Sequence, residues 1–367
     1  MDGSCRAFKR ALLGEDSASS AGQGASLSSV RLIFSTSHPA SQLADISDDG
    51  VHPDYINNVF PNAEDFPGYE GLDIAIYITA GSLWHFVKVM YERKGEVDIQ
   101  KCLRENLYEE NLLPSMEAFV EKTKERFTPP GSKLMTFKRA RTEFDIYINT
   151  FATPGFQDYH KRLRTLPVWF IDGGNVVDSS EPHWTYFTLY KRNATGPVLV
   201  GMVSCYAYYQ HLDRCRVRIS QVLILPQHQR QGHGAQLLSA VYAHFRADKA
   251  VFEINVEDCS PEMQHLRDVT DLKDLLETRL MPLNRCPPGY VLDKQMEYAL
   301  KTRLKLTSNQ LHRAIQLIQY AVLDLEDETA VTTWRKAVKR HLLSINFETL
   351  RPKQDGIPLK HIYIRKI

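Results

Sequence analysis

Excess charge of one sign is missing from this chain of 367 residues: 45 Lys+Arg stand against 44 Asp+Glu, for a formal net charge of +1. Nucleic-acid-binding domains usually carry a basic surplus, so direct DNA binding is not expected. Long apolar runs are also missing. None approaches the 18 residues that mark a membrane span, and residues 1–14 lack the apolar core of a signal peptide. Cysteine is sparse. The six residues are Cys5, Cys102, Cys205, Cys215, Cys259 and Cys286. None are paired as CxxC and none sit near His at zinc-finger spacing. No bound metal is therefore expected, and free thiols in a reducing compartment are the simplest reading. The Asn193-Ala194-Thr195 sequon would go unused there. No solenoid-type repeat is present.

What remains is ordinary globular composition, 43% hydrophobic and 24% charged. The length suggests two or three domains. Residues 17–29 are nearly all Ser, Ala and Gly, which cannot bury enough apolar surface to offset ordering entropy. Residues 1–28 are expected to form a disordered tail. Val30-Arg31-Leu32-Ile33-Phe34 and 72–78 read as strands, 83–92 continues as a strand, and 97–126 carries helical patterning. Pro129-Pro130-Gly131 marks a boundary. Beyond it, 142–151 alternates as a strand and 155–170 is helical. Three strands follow in quick succession, 184–191, 198–209 and 216–225, an antiparallel meander. A polar loop leads into a helix with Leu237, Leu238, Val241, Tyr242 and Phe245 on one face, then a strand at 251–257. After Pro287-Pro288-Gly289 the chain turns helical. Thr307-Ser308-Asn309-Gln310 reads as a capping box, and a second helix spans about 329–343. The expected domains are 29–128, α/β; 129–286, a central core; and 287–367, helical.

The informative segment is Gln229-Arg230-Gln231-Gly232-His233-Gly234-Ala235, between a strand and a helix N-terminus. Free N–H groups and the positive dipole end gather at such a terminus. Glycines there remove the Cβ atoms that would hold a phosphate away. A kinase-type P-loop needs Gly-Lys-Ser/Thr, which this loop lacks. A dinucleotide fingerprint needs a third glycine where Leu237 stands, and a parallel sheet. Gln/Arg-x-x-Gly-x-Gly/Ala after an antiparallel run is instead similar to the acetyl-CoA loop of the GNAT acetyltransferases. A plain strand-to-helix turn is the bland alternative.

The loop has ordered company. Ser220-Gln221-Val222-Leu223-Ile224-Leu225 precedes it, and Glu257-Asp258 and Leu266-Arg267-Asp268 follow. Upstream stand Tyr159-His160-Lys161-Arg162-Leu163, Trp169-Phe170-Ile171, Gly68-Tyr69-x-Gly71-Leu72 and Ala80-Gly81-Ser82-Leu83. The set resembles the type B histone acetyltransferase catalytic subunits over roughly 53–343. That resemblance implies an α+β fold: a GNAT core with a mixed, mainly antiparallel sheet, an N-terminal α/β domain and a small C-terminal helical domain.

It also implies a mechanism and its residues. A lysine amine attacks the acetyl-CoA thioester directly, with Glu257 as general base and Asp258 and Asp172 as acidic residues near the acceptor. Asp172 stands where the family has Glu, and Cys259 where it has a proline. Val222, Leu223 and Ile224 resemble the strand that meets the pantetheine. Gln229, Arg230, Gln231, Gly232, His233, Gly234 and Ala235 resemble the pyrophosphate loop, with His233 contributing its backbone N–H, and Ser260 matches a further position near the cofactor. Tyr206 and Tyr208, on one strand face, correspond to a lysine channel. Glu64 and Asp65 are what remains of a more acidic segment.

The implied acceptor is the N-terminal tail of free, newly made histone H4. The implied partner is a WD40-repeat histone chaperone, and the implied location is nucleus and cytoplasm. The alternatives are a GNAT enzyme for another protein or a small amine, and a non-catalytic chaperone-associated scaffold.

Overall fold

The structure is a computed structural model that describes residues 28–36, 50–60, 66–174, 177–209, 213–280 and 286–346. The expected tail, Ser28 apart, and the Glu64-Asp65 segment lie outside these residues. The described chain divides into two compact units. One holds residues 28–250 with Val256–Cys259, the other Val251–Asn255 with residues 260–346.

The first unit begins with a three-stranded sheet: β1 (Val30–Ser35), β2 (Asp73–Thr79) and β3 (His85–Met90). β1 and β2 pair in parallel, β2 and β3 antiparallel. The helical patterning over 97–126 resolves into two helices, α1 (Ile99–Leu107) and α2 (Met116–Lys124). Pro114 cannot continue a helix. Asp98 caps the first helix through Lys101 N, and Ser115 caps the second through Ala118 N.

Five antiparallel strands then follow in spatial order: β4 (Ser132–Arg139), β5 (Thr142–Thr150), β6 (Trp184–Lys191), β7 (Val198–Tyr209) and β8 (Cys215–Ile224). The meander expected from the short turns is β6-β7-β8. Periodicity does not reveal β4, because Ser-Lys-Leu-Met-Thr-Phe-Lys-Arg is largely exposed and has no clean apolar alternation. Between β5 and β6 lie α3 (Phe156–Leu163) and α4 (Thr165–Phe170).

One apolar cluster joins both sheets. Leu32, Ile76, Leu103, Phe156, Trp169, Tyr186, Met202 and Leu225 all belong to it. Both sides of the Pro129-Pro130-Gly131 turn contribute, and Phe127 stacks on Tyr159 with centroids 5.4 Å apart. Backbone bonds reinforce the join: Leu199 N donates to Ala80 O at 2.8 Å, and Asp54 N to Trp169 O at 2.9 Å.

After β8, α5 (His233–Ala247) buries Leu237, Leu238, Val241, Tyr242 and Phe245, the face that its spacing predicts. Each such burial contributes about 1.5–3 kcal/mol, enough to fix the helix whose N-terminus carries the loop.

The second unit holds most of β9 (Val251–Val256) and four helices: α6 (Pro261–Glu277), α7 (Lys294–Leu304), α8 (Ser308–Ala321) and α9 (Glu328–Ile345). α6 is not apparent from apolar spacing, because charged residues interrupt its apolar face. Its start is nonetheless written in the sequence, as Ser260 at the cap and Pro261 in the first turn. The Thr307 box forms by half. Thr307 Oγ1 accepts from Gln310 N at 3.2 Å, but the Gln310 amide turns inward to Asp268 Oδ1, which Arg313 also binds. α8 stops at Ala321, leaving Val322 and Leu325 exposed. No described helix is long and apolar enough to cross a membrane.

Candidate active site

The loop after β8 takes the form an anion cradle requires. Gly232 has a φ of 77° and is the N-cap of α5, with no side-chain cap bond. The N–H groups of His233, Gly234 and Ala235 are the first of the helix and have no intrahelical partner. A Cβ at Gly232 would come within 2.6 Å of the Arg139 guanidinium. The glycine is thus needed for its backbone conformation and for the close approach of a cation. Gln229 Nε2 donates to Ile224 O at 2.9 Å and Gln231 Nε2 to Gln227 O at 3.2 Å, so both glutamines brace the loop. Arg230 has a φ of 58° and is exposed.

These residues fit a pyrophosphate: free N–H groups, a helix dipole and a guanidinium converge where bulk is absent. Arg139 closes β4, the strand that periodicity overlooked, and escaped the sequence reading for that reason. The His233 ring is turned inward, 4.6 Å from the Phe144 ring and 2% exposed. Burial, with Arg139 and Lys191 near, holds its pKa below the usual value. It is therefore neutral at pH 7 and leaves its backbone to the cradle.

Val222, Leu223 and Ile224 end β8, opposite Val203, Met202 and Gly201. The register slips between Ser204 and Cys205, which leaves Ser220 as an extra residue on β8. Glu257 reaches this point. Its N–H donates to Ile219 O at 3.0 Å. Arg218 Nη1 donates to its Oε1 at 2.8 Å and Ser220 Oγ to its Oε2 at 3.1 Å. Both carboxylate oxygens are thereby oriented by β8. The side chain remains 39% exposed, so an acceptor has access.

An aromatic wall adjoins it. Register puts Trp184, Tyr206 and Arg218 in one row across β6, β7 and β8. The Tyr206 ring lies 5.0 Å from Trp184 and 4.6 Å from Tyr208. The Tyr206 hydroxyl donates to Glu181 Oε2 at 3.2 Å, and burial followed by this bond raises its pKa. Arg218 lies over the Tyr208 ring, 4.6 Å from its centre. The shared face of Tyr206 and Tyr208 follows from strand alternation. Trp184, Glu181, Arg218 and Ser220 were not foreseen. Arg218 and Ser220 lie two apart on β8, but no local signal marks their pairing with Glu257. Trp184 and Glu181 had none either, since only strand pairing brings them here.

The other acidic candidates stand apart. Asp258 is exposed with a φ of 34°. Asp172 is exposed after α4, and among the described residues no hydrogen bond or ion pair joins it to Glu257. Ser260 caps α6, its Oγ accepting from Met263 N at 3.2 Å. Among the described residues, two buried groups, His160 and Cys205, are poor rivals as base or nucleophile. Burial pushes His160, bonded to the Tyr186 hydroxyl, down to about 3. It pushes the Cys205 thiol well up, away from thiolate.

Known proteins resemble the chain over most of its length. Residues 26–172 match the family described as "Histone acetyl transferase HAT1 N-terminus", and residues 146–266 match the "Acetyltransferase (GNAT) family". The histone acetyltransferase type B catalytic subunit of Rattus norvegicus is 30% identical over 313 residues, covering 80% of this chain and 74% of its own. That of Mycosarcoma maydis is 29% identical over 357 residues, covering 83% and 78%. Among solved structures, an aminoglycoside N-acetyltransferase in complex with CoA aligns with a TM-score of 0.23 and 14% identity, over 39% of this chain and 90% of that one.

Proposed function

The chain belongs to the family of type B histone acetyltransferase catalytic subunits and is an acetyl-CoA-dependent acetyltransferase of the GNAT fold; from that premise we propose that it acetylates lysine in the N-terminal tail of free, newly made histone H4, with Glu257 as general base. The observation that carries this reading is that Arg218 joins Glu257 to the Trp184-Tyr206-Tyr208 wall, bonding the carboxylate and lying over the Tyr208 ring. An aromatic face beside a carboxylate suits a lysine side chain: the rings take its alkyl stem and the anion its amine.

A free lysine has a pKa near 10.4, so at pH 7 only about one in 2,500 is a nucleophile. Acetyl-CoA supplies the acetyl group as an activated thioester. Glu257 accepts the proton that the ammonium must lose, and Ser220 keeps the carboxylate turned toward the acceptor. The amine lone pair then forms the amide C–N bond as the C–S bond breaks; the sulfur leaves with its electron pair and takes the second proton that the nitrogen loses, giving the acetylated lysine and the free CoA thiol. The wall and the row of β-strands behind it hold the acceptor in line.

Gly232, His233, Gly234 and Ala235 hold the pyrophosphate through backbone N–H groups in this reading, with Gln229, Arg230 and Gln231 shaping the loop. Val222, Leu223 and Ile224 run along the pantetheine, and Ser260 lies near the cofactor. Asp258 and Asp172 supply negative charge near the acceptor. Glu64 and Asp65 attract the basic tail. The regions 29–128, 129–286 and 287–367 are read as an N-terminal α/β domain, an acetyltransferase domain and a C-terminal helical domain. A WD40-repeat histone chaperone is the proposed partner, with activity in nucleus and cytoplasm.

The test is an acceptor panel. The purified chain is given labelled acetyl-CoA with free histone H4, with nucleosomes, or with small amines. Label is expected on free H4 and much less on nucleosomes. Label confined to small amines overturns the histone reading.

A further inference from the structure

We propose that Arg218 occupies the seat of the acceptor's ammonium, and that an incoming lysine displaces it. This rests on the acceptor side assigned above, but it concerns a residue to which that reading gives no role.

The guanidinium of Arg218 is held by two things at once. Nη1 donates to Glu257 Oε1 at 2.8 Å, and the group lies over the Tyr208 ring at 4.6 Å. An anion on one side and an aromatic face on the other is the environment that recognises a cationic amine. Here the chain fills that environment with its own cation.

Three features make the arrangement displaceable. Arg218 is 33% exposed and Glu257 39%, so solvent and acceptor reach both. Ion pairs this exposed contribute little net stability. Ser220 Oγ keeps its bond to Oε2 when Arg218 leaves, so the carboxylate stays oriented while Oε1 comes free.

The arrangement must also be displaced for chemistry to occur. While the guanidinium stands at Oε1, it occupies the place that the ammonium must take to hand over its proton. When the ammonium takes the seat, its N–H replaces the Nη1–H at Oε1. The proton can then pass to that oxygen, leaving a neutral amine and a neutral carboxyl group. Arg218 thus keeps the base occupied until a lysine arrives, and its release sets part of the acceptor's apparent affinity.

The experiment measures acceptor binding and KM for the full chain and for Arg218→Gln, Glu257→Gln and the double variant. The probes are an N-terminal histone H4 peptide and n-butylamine, the bare lysine side chain. Arg218→Met repeats the measurement with an apolar stem of similar length.

Arg218→Gln and Arg218→Met are expected to bind both probes about three- to tenfold more tightly, the scale of one cation–π contact. The KM for acetyl-CoA should stay unchanged. In the Glu257→Gln background the gain should vanish, since the seat is gone.

Unchanged or weaker probe binding in Arg218→Gln overturns the proposal. So does an equal gain in the Glu257→Gln background, which would mean only that a repelling charge was removed. A drop in kcat restored by Arg218→Lys, with KM unmoved, would make Arg218 a positioning residue instead. The underlying reading fails separately. Full activity in Glu257→Gln removes the base, and binding of butylamine without the peptide removes the histone tail. Either can occur while the coupling between Arg218 and Glu257 stands.

Discussion

On the proposed cofactor side of this protein the groups on offer are backbone: unbonded N–H groups at the start of α5, exposed by a glycine with positive φ. On the proposed acceptor side they are side chains: Glu257, Arg218, Ser220 and three aromatic rings drawn from β6, β7, β8 and the turn after β9. The backbone site is local, seven consecutive residues at one strand-to-helix junction. The side-chain site spans residues 181–257 in sequence and exists only because register aligns them. A phosphate is recognised by almost any chain that presents N–H groups and no bulk. A lysine must be discriminated by shape, charge and depth, which takes separate elements. The cofactor site can therefore stay simple while the acceptor site carries the specificity.

Three substitutions sharpen or break that contrast. The largest effect is expected from Glu257→Gln, which keeps the shape and removes the base. kcat should fall about 10²- to 10⁴-fold with the KM for acetyl-CoA nearly unchanged. Steady-state kinetics against both substrates checks this, and a parallel rise in the acetyl-CoA KM would mean that the two sides are not separable.

The next effect is on the backbone side. Gly232→Val puts a β-branched residue at φ 77°, which costs about 1–3 kcal/mol of strain, and sets its Cβ against Arg139. The loop relieves the strain by leaving the cradle conformation. The KM for acetyl-CoA should rise about ten- to a hundredfold, with the acceptor KM little changed. Calorimetry with CoA alone reads the same loss, and undiminished CoA affinity would break the idea of a backbone-built site.

The smallest change is Tyr206→Phe. It removes the bond to Glu181 at 3.2 Å but keeps the ring. An exposed hydrogen bond of this kind is worth about 0.5–1.5 kcal/mol. The acceptor KM should rise a few-fold and no more, measured with an H4 peptide at saturating acetyl-CoA. A loss as large as that of Glu257→Gln would give the Tyr206 hydroxyl a place in the chemistry.

The same contrast explains what could be read from the residues in advance. The loop was legible because its residues are contiguous: Gly232, Gly234 and the helix behind them suit a cradle, and resemblance chose that reading over a plain strand-to-helix turn. Glu257 was legible only as the end of a strand that follows that loop, with its role lent by family resemblance. Its partners Arg218 and Ser220 were hidden, because a strand's pairing across 39 and 37 residues has no local mark. Arg139 was hidden because β4, an exposed strand, has too little apolar alternation to show itself. The opposite error occurred over 97–126, where continuous helical patterning concealed a break that Pro114 makes necessary.

Family resemblance carried the fold class; the sequence's own spacing determined the apolar face of α5, the glycine-bearing strand-to-helix loop and the pair of tyrosines on one strand face. Each depends on spacing within a single element, and the periods of helix and strand are set by local geometry. Only the tertiary structure decided that Arg218 holds Glu257 against Tyr208, that Arg139 covers Gly232, and that His233 turns its ring inward. Those depend on register between strands and on which groups burial leaves room for, and both are settled by the packing of the whole unit at once.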